Sequence, residues 1–354
     1  HFFITICAAG GSGGMEVKMS TNIKEVAKEA GVSVATVSHV INQTRYVSDE
    51  TKMEVLKAIK LLGYQPNLVA RSLRSQRSKI VGLIIPVCAS DTSGFFFATI
   101  AQGIENKLKE HGYNLLFSNS NENVECEKEQ IRVFNSQLVD GLIIAPTVDD
   151  HQYLSEVIRR DYPVVFIDRK PVGYRSDCVL VDNFSITYKA INTLIEKGHH
   201  RIAFISGHIG LTTSDERYFA YKKALKDNNI TIDESLIVIA EYGKISFESG
   251  YEFTKKLFTS QKFSALFVAN NLMSMGAIAF LNEQKVKIPE ELAVIGFDDY
   301  DWTKIPVPPL SVIKQPAFDL GRKAAEVLID RINNPTKRFK EYRMSAELII
   351  RGSI

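Results

Sequence analysis

The stretch IKEVAKEAGVSVATVSHVINQTRYVSDETKMEVLKAIKLLG, residues 23–63, decides the N-terminal fold. Asn22 followed by Glu25 is a capping-box start for a helix over 23–30, whose Ile23, Val26, Ala27 and Ala30 share one apolar face. Gly31 ends it, because glycine takes the left-handed helix-closing geometry at no steric cost. Ser33 caps a second helix over 34–41 after only a short turn, and Ser48, with Asp49 and Glu50 in the first turn, starts a third that Gly63 closes. Two helices joined by a tight turn and braced by a third describe a helix-turn-helix, whose second helix enters the DNA major groove with its N-terminal residues. Those residues are Val34, Ala35, Thr36, Ser38 and His39, while Val37, Val40 and Ile41 supply the inward face. Val34 and Ala35 read by apolar contact, for instance with a thymine methyl, whereas His39 can hydrogen-bond a base edge.

Charge agrees with this reading. The chain of 354 residues carries 43 basic and 41 acidic side chains, a formal balance of only +2. Residues 20–79 hold ten Lys/Arg against five Asp/Glu, a surplus of +5, which leaves 33 against 36, or −3, in the rest. A basic head on a mildly acidic body points to a nucleic-acid or membrane-surface module joined to something else. Just past the third helix, Asn67-Leu-Val-Ala-Arg-Ser-Leu-Arg74 is too short to be a stable helix alone, since isolated helices below about 12 residues are marginal. Its Val69, Ala70 and Leu73 leave an apolar stripe with nothing local to bury it, so it should fold only against a twin helix and DNA.

Composition excludes other classes. Cys7, Cys88, Cys126 and Cys178 show no CxxC and no zinc-ligand spacing, so neither a disulfide framework nor a metal site is expected, and the expected compartment is a reducing cytoplasm. No apolar run approaches the roughly 20 residues needed to cross a bilayer. Residues 1–19, with GGSGG ahead of Met15, read as a non-native or disordered leader. No strand is followed by GxGxxG, GxxxxGK[ST] is absent, and no Ser-His-Asp set stands out, so a dehydrogenase or kinase is disfavoured and no catalytic residue or cofactor is expected. A pure sugar-transport protein is the other alternative, and the basic head argues against it.

From Lys79 onward apolar strands (KIVGLIIPV, YNLLF, DGLIIAP, YPVVFID, CVLVD, RIAFIS, LIVIA, SALFVA, LAVIGFDD) alternate with helices such as 97–111 and 186–197. This is the pattern of doubly wound parallel α/β sheets. Ser136–Ala145 and Ser260–Ala269 share S-Q-x-x-x-[G/A]-L-[F/I]-[V/I]-A, which argues for two similar lobes with the ligand cleft between them, at the carboxyl ends of the strands. Asp168-Arg169, Asn270-Asn271 and Asp298-Asp299 end three strands, Arg217 opens a helix, Gln315 follows a late strand, and Phe95-Phe96-Phe97 begin the first helix. Carboxylates and amides bind adjacent hydroxyls, arginine donates in a fork, and aromatic faces pack on the C–H side of a sugar. Of the three phenylalanines, Phe95 is expected in the core.

The quoted stretch, extended to Ser75, resembles the headpiece and hinge of the lactose/galactose repressor family, closest to the purine-repressor type through VSHVIN, TRYV and ARSL. The resemblance places Val34, Ala35 and His39 on the family's principal base-reading positions and Leu73 on its intercalating leucine, with Arg74 beside it. The DNA-facing set expected is therefore Val34, Ala35, Thr36, Ser38, His39, Asn42, Arg45, Leu73 and Arg74. GFFFATIAQG, VVFIDR, ERYFAY, VANN and IGFDD resemble the family's effector core and, through it, ribose-type periplasmic binding proteins. Carried over residue by residue, Phe96 and Phe97 would stack on the effector, while Asp168, Arg169, Arg217, Asn270, Asp298 and Gln315 would hydrogen-bond it. Gly94 departs from the pattern, standing where Asn or Asp is common, and Asp91 is the candidate substitute.

The resemblance implies a homodimeric repressor of a carbohydrate-uptake or catabolic operon, on a palindromic operator, controlled by a small sugar. A purine or a protein partner is the alternative effector. The expected divisions are a leader at 1–19, a headpiece at 20–66, a hinge at 67–78 and a core at 79–354. Within the core, lobe 1 takes about 79–182 and 315–341, and lobe 2 about 183–314 and 342–354.

Overall fold

The computed structural model describes residues 21–42, 44–64, 77–87, 93–147, 151–159 and 162–354. The chain divides into two compact units, His1–Gln76 and Arg77–Ile354.

In the first unit, helix α1 spans Ile23–Glu29, α2 Val34–Asn42 and α3 Asp49–Leu62. The caps fall where the side-chain chemistry puts them. Asn22 Oδ1 accepts from the Lys24 and Glu25 backbone N–H groups, and Glu25 accepts in return from the Asn22 N–H. Ser33 Oγ accepts from the Thr36 N–H at 3.0 Å, Ser48 caps α3, and Gly31 and Gly63 hold φ of +62° and +59°. Val26, Ala27, Val37, Val40, Val55 and Ala58 close a small core between the three helices, with Ile23, Ala30 and Ile41 packed at its rim.

The second unit carries two six-stranded sheets. Strands β1 (Ile80–Ile85), β2 (Asn114–Asn119), β3 (Gly141–Ile144), β4 (Val164–Ile167), β5 (Asp177–Val181) and β11 (Glu341–Met344) form the first, in the order β11-β5-β4-β3-β1-β2, all parallel. Strands β6 (Ile202–Ser206), β7 (Ile237–Ile239), β8 (Ala265–Val268), β9 (Ala293–Phe297), β10 (Ser311–Lys314) and β12 (Glu347–Ile349) form the second, in the order β12-β10-β9-β8-β6-β7. Only β12 runs antiparallel to its neighbour. The two orders match place for place, and the repeated S-Q motif leads into β3 and β8, which hold the same place in each.

The helices of this unit that bear on the site are α4 (Ser93–Glu110), α5 (Val124–Ser136), α7 (Asn183–Glu196), α8 (Thr212–Asp227), α9 (Phe247–Ser260), α10 (Asn271–Glu283) and α11 (Ala317–Asn333), with the single turn α6 at Leu154–Val157. Core strands are buried on both sides, as sheets covered by helices on both faces must be. After β10 the chain returns to the first lobe, where α11 packs in the same apolar cluster as α4, and then pairs β11 with β5. Residues 342–344 therefore belong with the first sheet, and the crossing to β12 comes three residues later than the expected 341/342 division. β11 and β12 are short and half-buried, so they lack the apolar runs by which the other strands were recognised.

Candidate functional site

The carboxyl ends of both sheets converge on one cavity of about 180 Å³. All eight residues singled out in the core line it: Phe96, Phe97, Asp168, Arg169, Arg217, Asn270, Asp298 and Gln315. Two of them show how matched topology builds a site. Asp168 follows β4 and Asp298 follows β9, strands that hold the same place in the two sheets. Both take the left-handed region, at φ +67° and +65°, and each N–H bonds back to the neighbouring strand, Asp168 to Val179 O and Asp298 to Ile313 O. Aspartate tolerates that geometry better than most residues, and it turns each carboxyl off the end of its strand.

Electrostatics differ between the two guanidinium groups. Arg217 lies in the second turn of α8 rather than at its opening. Its Nε donates to Asn183 Oδ1 at 2.9 Å, one Nη donates to the Ala269 carbonyl at 2.7 Å, and its plane sits 3.7 Å over the Phe297 ring. Burial lowers its pKa to about 10, which leaves it cationic at neutral pH. Arg169 is held in a two-pronged pair by Glu122, at 2.6 and 3.0 Å. Burial works against its charge, but Glu122, together with Asp168 and Tyr242, outweighs burial and its pKa lies above the usual value. Burial raises the Asp168 carboxyl above its usual value, against the pull of Arg169 and Arg217. Gln315 Nε2 donates to Asp298 Oδ1 at 2.7 Å. Asn270 caps α10, its side chain accepting from the Met273 N–H, and Asn271 beside it accepts from Trp302 Nε1 at 2.9 Å. Arg169 Nε and Gln315 Oε1 are buried without a hydrogen-bond partner in the protein.

Phe96 and Phe97 are buried and pack edge to face at 5.4 Å, lining the cavity and joining the core of the first lobe together. Phe95 is not core: it is 64% exposed and faces Tyr300 at 6.0 Å. Successive helix positions step by about 100°, so three adjacent phenylalanines cannot share one face. Glu122 and Tyr242 also line the cavity and were missed. Each follows a strand, β2 and β7 respectively, so the strand-end rule that found Asp168 and Asp298 reaches them too. Tyr242 donates to the Glu122 carbonyl at 2.7 Å across the cleft.

In the first unit, Val34 (41% exposed) and Ala35 are open at the start of α2, while Val37 and Val40 are buried beneath them. Thr36 and Ser38 are half-buried. Thr36 Oγ1 meets Ser33 Oγ, and Ser38 receives Asn42 Nδ2 at its carbonyl and hydroxyl. His39 Nδ1 hydrogen-bonds Thr44 Oγ1 at 2.9 Å, which fixes the ring. Arg45 is exposed, and Tyr46 next to it, absent from the expected set, is 90% exposed. Leu73, Arg74 and Asp91 lie outside the described residues. Among the described residues no group of three or more His, Cys, Asp or Glu is placed to hold a metal ion, and no helix is long and apolar enough to cross a membrane.

Comparison with known proteins bears on both units. Residues 22–67 match the model of the bacterial regulatory proteins of the lacI family, and residues 191–354 match that of a periplasmic binding protein-like domain. The HTH-type transcriptional regulator RegA of Clostridium saccharobutylicum is 36% identical over 337 residues, 95% of this chain and 99% of RegA. The HTH-type transcriptional repressor PurR of Histophilus somni is 36% identical over 334 residues, 94% of this chain and 98% of PurR. The chain belongs to the LacI family. Among solved structures of similar fold, the lac repressor dimer bound to operator and the anti-inducer ONPF superposes with a TM-score of 0.82 at 25% identity, covering 95% of this chain and 99% of that one. The complex of the transcriptional regulator CelR with cellobiose gives 0.70 at 29% identity, covering 94% and 100%. This LacI-family chain is thus a DNA-binding transcriptional repressor similar to PurR, and its relatives are regulators rather than enzymes.

Proposed function

We propose that this repressor binds a palindromic operator as a homodimer and is controlled by a small sugar in the cleft between its lobes. The observation that carries the effector half is the convergence of six hydrogen-bonding side chains and two phenylalanines, from both lobes, on one cavity of about 180 Å³. Paired acids and amides, with buried Arg169 Nε and Gln315 Oε1 still to be satisfied, suit vicinal hydroxyls. A ligand touching both lobes biases their closure, and a coupling of roughly 1–3 kcal/mol, typical of allostery, changes operator affinity by about 5–150-fold. Residues 67–78 are the proposed hinge, with Leu73 as the wedge between base pairs and Arg74 at the phosphates or groove. Val34, Ala35 and His39 are the proposed base readers, supported by Arg45 and Asn42.

Dimerisation is supported by large apolar side chains left open on the second unit, among them Phe117, Ile305 and Val307, the last 94% exposed. Action on operator DNA is consistent with a cytoplasmic, nucleoid-associated repressor.

The similarity to PurR makes a purine the second reading of the cleft. A panel of aldoses, nucleosides and nucleobases, followed by Trp302 emission and by operator gel shift, separates the two. Trp302 reports because it hydrogen-bonds Asn271, which lines the cavity. A sugar that shifts emission and changes operator affinity supports the proposal. A response to nucleobases alone replaces the sugar with a purine, and no response to any compound removes the small-molecule reading.

A further inference from the structure

Glu122 stands apart from the other cavity residues because its partner is already in place. Its carboxylate takes both terminal nitrogens of Arg169, at 2.6 and 3.0 Å, with both side chains largely buried. Two features hold it there. Asn121 and Glu122 both adopt left-handed backbone, φ +53° and +54°, an arrangement that a non-glycine pair keeps only where surrounding contacts impose it. From the other lobe, Tyr242 donates its hydroxyl to the Glu122 carbonyl. Arg217, the second guanidinium of the cleft, donates through Nε to Asn183 and through one Nη to the Ala269 carbonyl, with its Cζ 3.7 Å from the centroid of the Phe297 ring. The lining thus sets three carboxylates, Glu122, Asp168 and Asp298, against two guanidinium groups, and the two-pronged edge of Arg169 is already filled by Glu122.

Resting on the reading of the cavity as an effector cleft, we propose that Glu122 sets its charge specificity: by occupying the fork of Arg169 it restricts the cleft to uncharged polyhydroxylated ligands and turns away anionic ones. A planar guanidinium with two parallel N–H groups is a strong receptor for carboxylate or phosphate when it is available. Here the receptor is filled from within. An entering anion would have to displace Glu122 and then sit beside the expelled carboxylate in a site shielded from water, where like charges repel strongly. A neutral sugar meets no such penalty, because it can use Asp168, Asp298, Gln315 and the remaining Arg169 Nε–H without breaking the pair.

The test is calorimetric titration of the full chain, as wild type, Glu122→Gln, and Glu122→Gln combined with Arg169→Gln, with ribose, glucose, glucuronate and inorganic phosphate. Phosphate is the deciding probe because it reports on Arg169 whatever the natural effector. The expected result is that Glu122→Gln tightens phosphate and glucuronate binding by at least about tenfold over wild type, and that the double variant loses the gain. Anion affinities in Glu122→Gln within about twofold of wild type overturn the proposal. So does a wild-type chain that binds glucuronate more tightly than glucose, a comparison that stands even if the variant does not fold. A phosphate gain with no wild-type response to any neutral sugar supports the role of Glu122 while removing the sugar reading. A normal sugar response without the phosphate gain removes the role of Glu122 alone.

Discussion

Arg217 concentrates the chemistry of the cleft in one side chain. It is buried, cationic, stacked on Phe297, and bonded to both α7 and the end of β8 through Asn183 and Ala269. Arg217→Ala should weaken effector binding by about 10–100-fold, the worth of one charged hydrogen bond or slightly more, while ligand-free operator affinity stays within a few-fold. Titration of both ligands against the variant checks this, and normal effector affinity would take Arg217 out of the site.

Glu127 has no part in the cleft but titrates in a buried setting, accepting from the Thr147 N–H at 2.9 Å and from the Tyr153 hydroxyl. Burial raises its pKa above the ordinary 4.5, against the pull of those two bonds. A carboxyl raised in the folded state contributes stability below its ordinary pKa and loses it as pH rises through the folded value. Glu127→Gln does not titrate, so its Tm relative to wild type should improve as pH rises above the ordinary carboxyl value and level off once the folded carboxyl has ionised. A Tm difference that is flat with pH, or that falls, contradicts the assignment.

At the scale of elements, α4 and α11 approach so closely that glycine is required on both. A Cβ on Gly103 would sit 2.1 Å from the Phe318 carbonyl oxygen, and one on Gly321 would sit 2.1 Å from that of Ile100. Both clashes are with backbone, which cannot swing aside. Gly103→Ala should therefore cost about 1–3 kcal/mol through overpacking, read as a fall of several degrees in Tm by differential scanning calorimetry. An unchanged Tm would mean the two helices can slide apart. The proposed hinge makes a different kind of prediction, one about DNA rather than stability. Leu73→Ala should abolish specific operator binding while leaving effector affinity unchanged, and an unaltered gel shift would refute the wedge.

For the whole molecule, the division at residues 76/77 has a consequence in solution. A chain beginning at Arg77 should keep the main thermal transition to within a few degrees, because both sheets and their helices lie beyond that point. It should also lose most of its salt-dependent affinity for duplex DNA, since the helix-turn-helix and eight of the ten basic residues of 20–79 have gone. Loss of the transition would show that the first unit is needed to fold the second.

Much of this was legible because the signals are local. Caps and helix-ending glycines act within four residues, strand ends are marked by the switch from Val, Ile and Leu to Asp, Asn and Arg, and a charge surplus is a count. These alone pointed to the helix-turn-helix, the alternating α/β body and its two-fold repetition, and together with the family resemblance they named the eight residues that line the cavity. What only the tertiary structure decided are pairings between residues distant in sequence: Glu122 with Arg169, Tyr242 with Glu122, and the return of β11 to the first sheet. It also decided that Phe95 faces outward while Phe96 and Phe97 face in. Periodicity names an apolar residue but not the direction in which its helix will be turned. A charged side chain names no partner until folding brings one within about 3 Å and takes the water away, and that step settled which cation of the cleft is already satisfied.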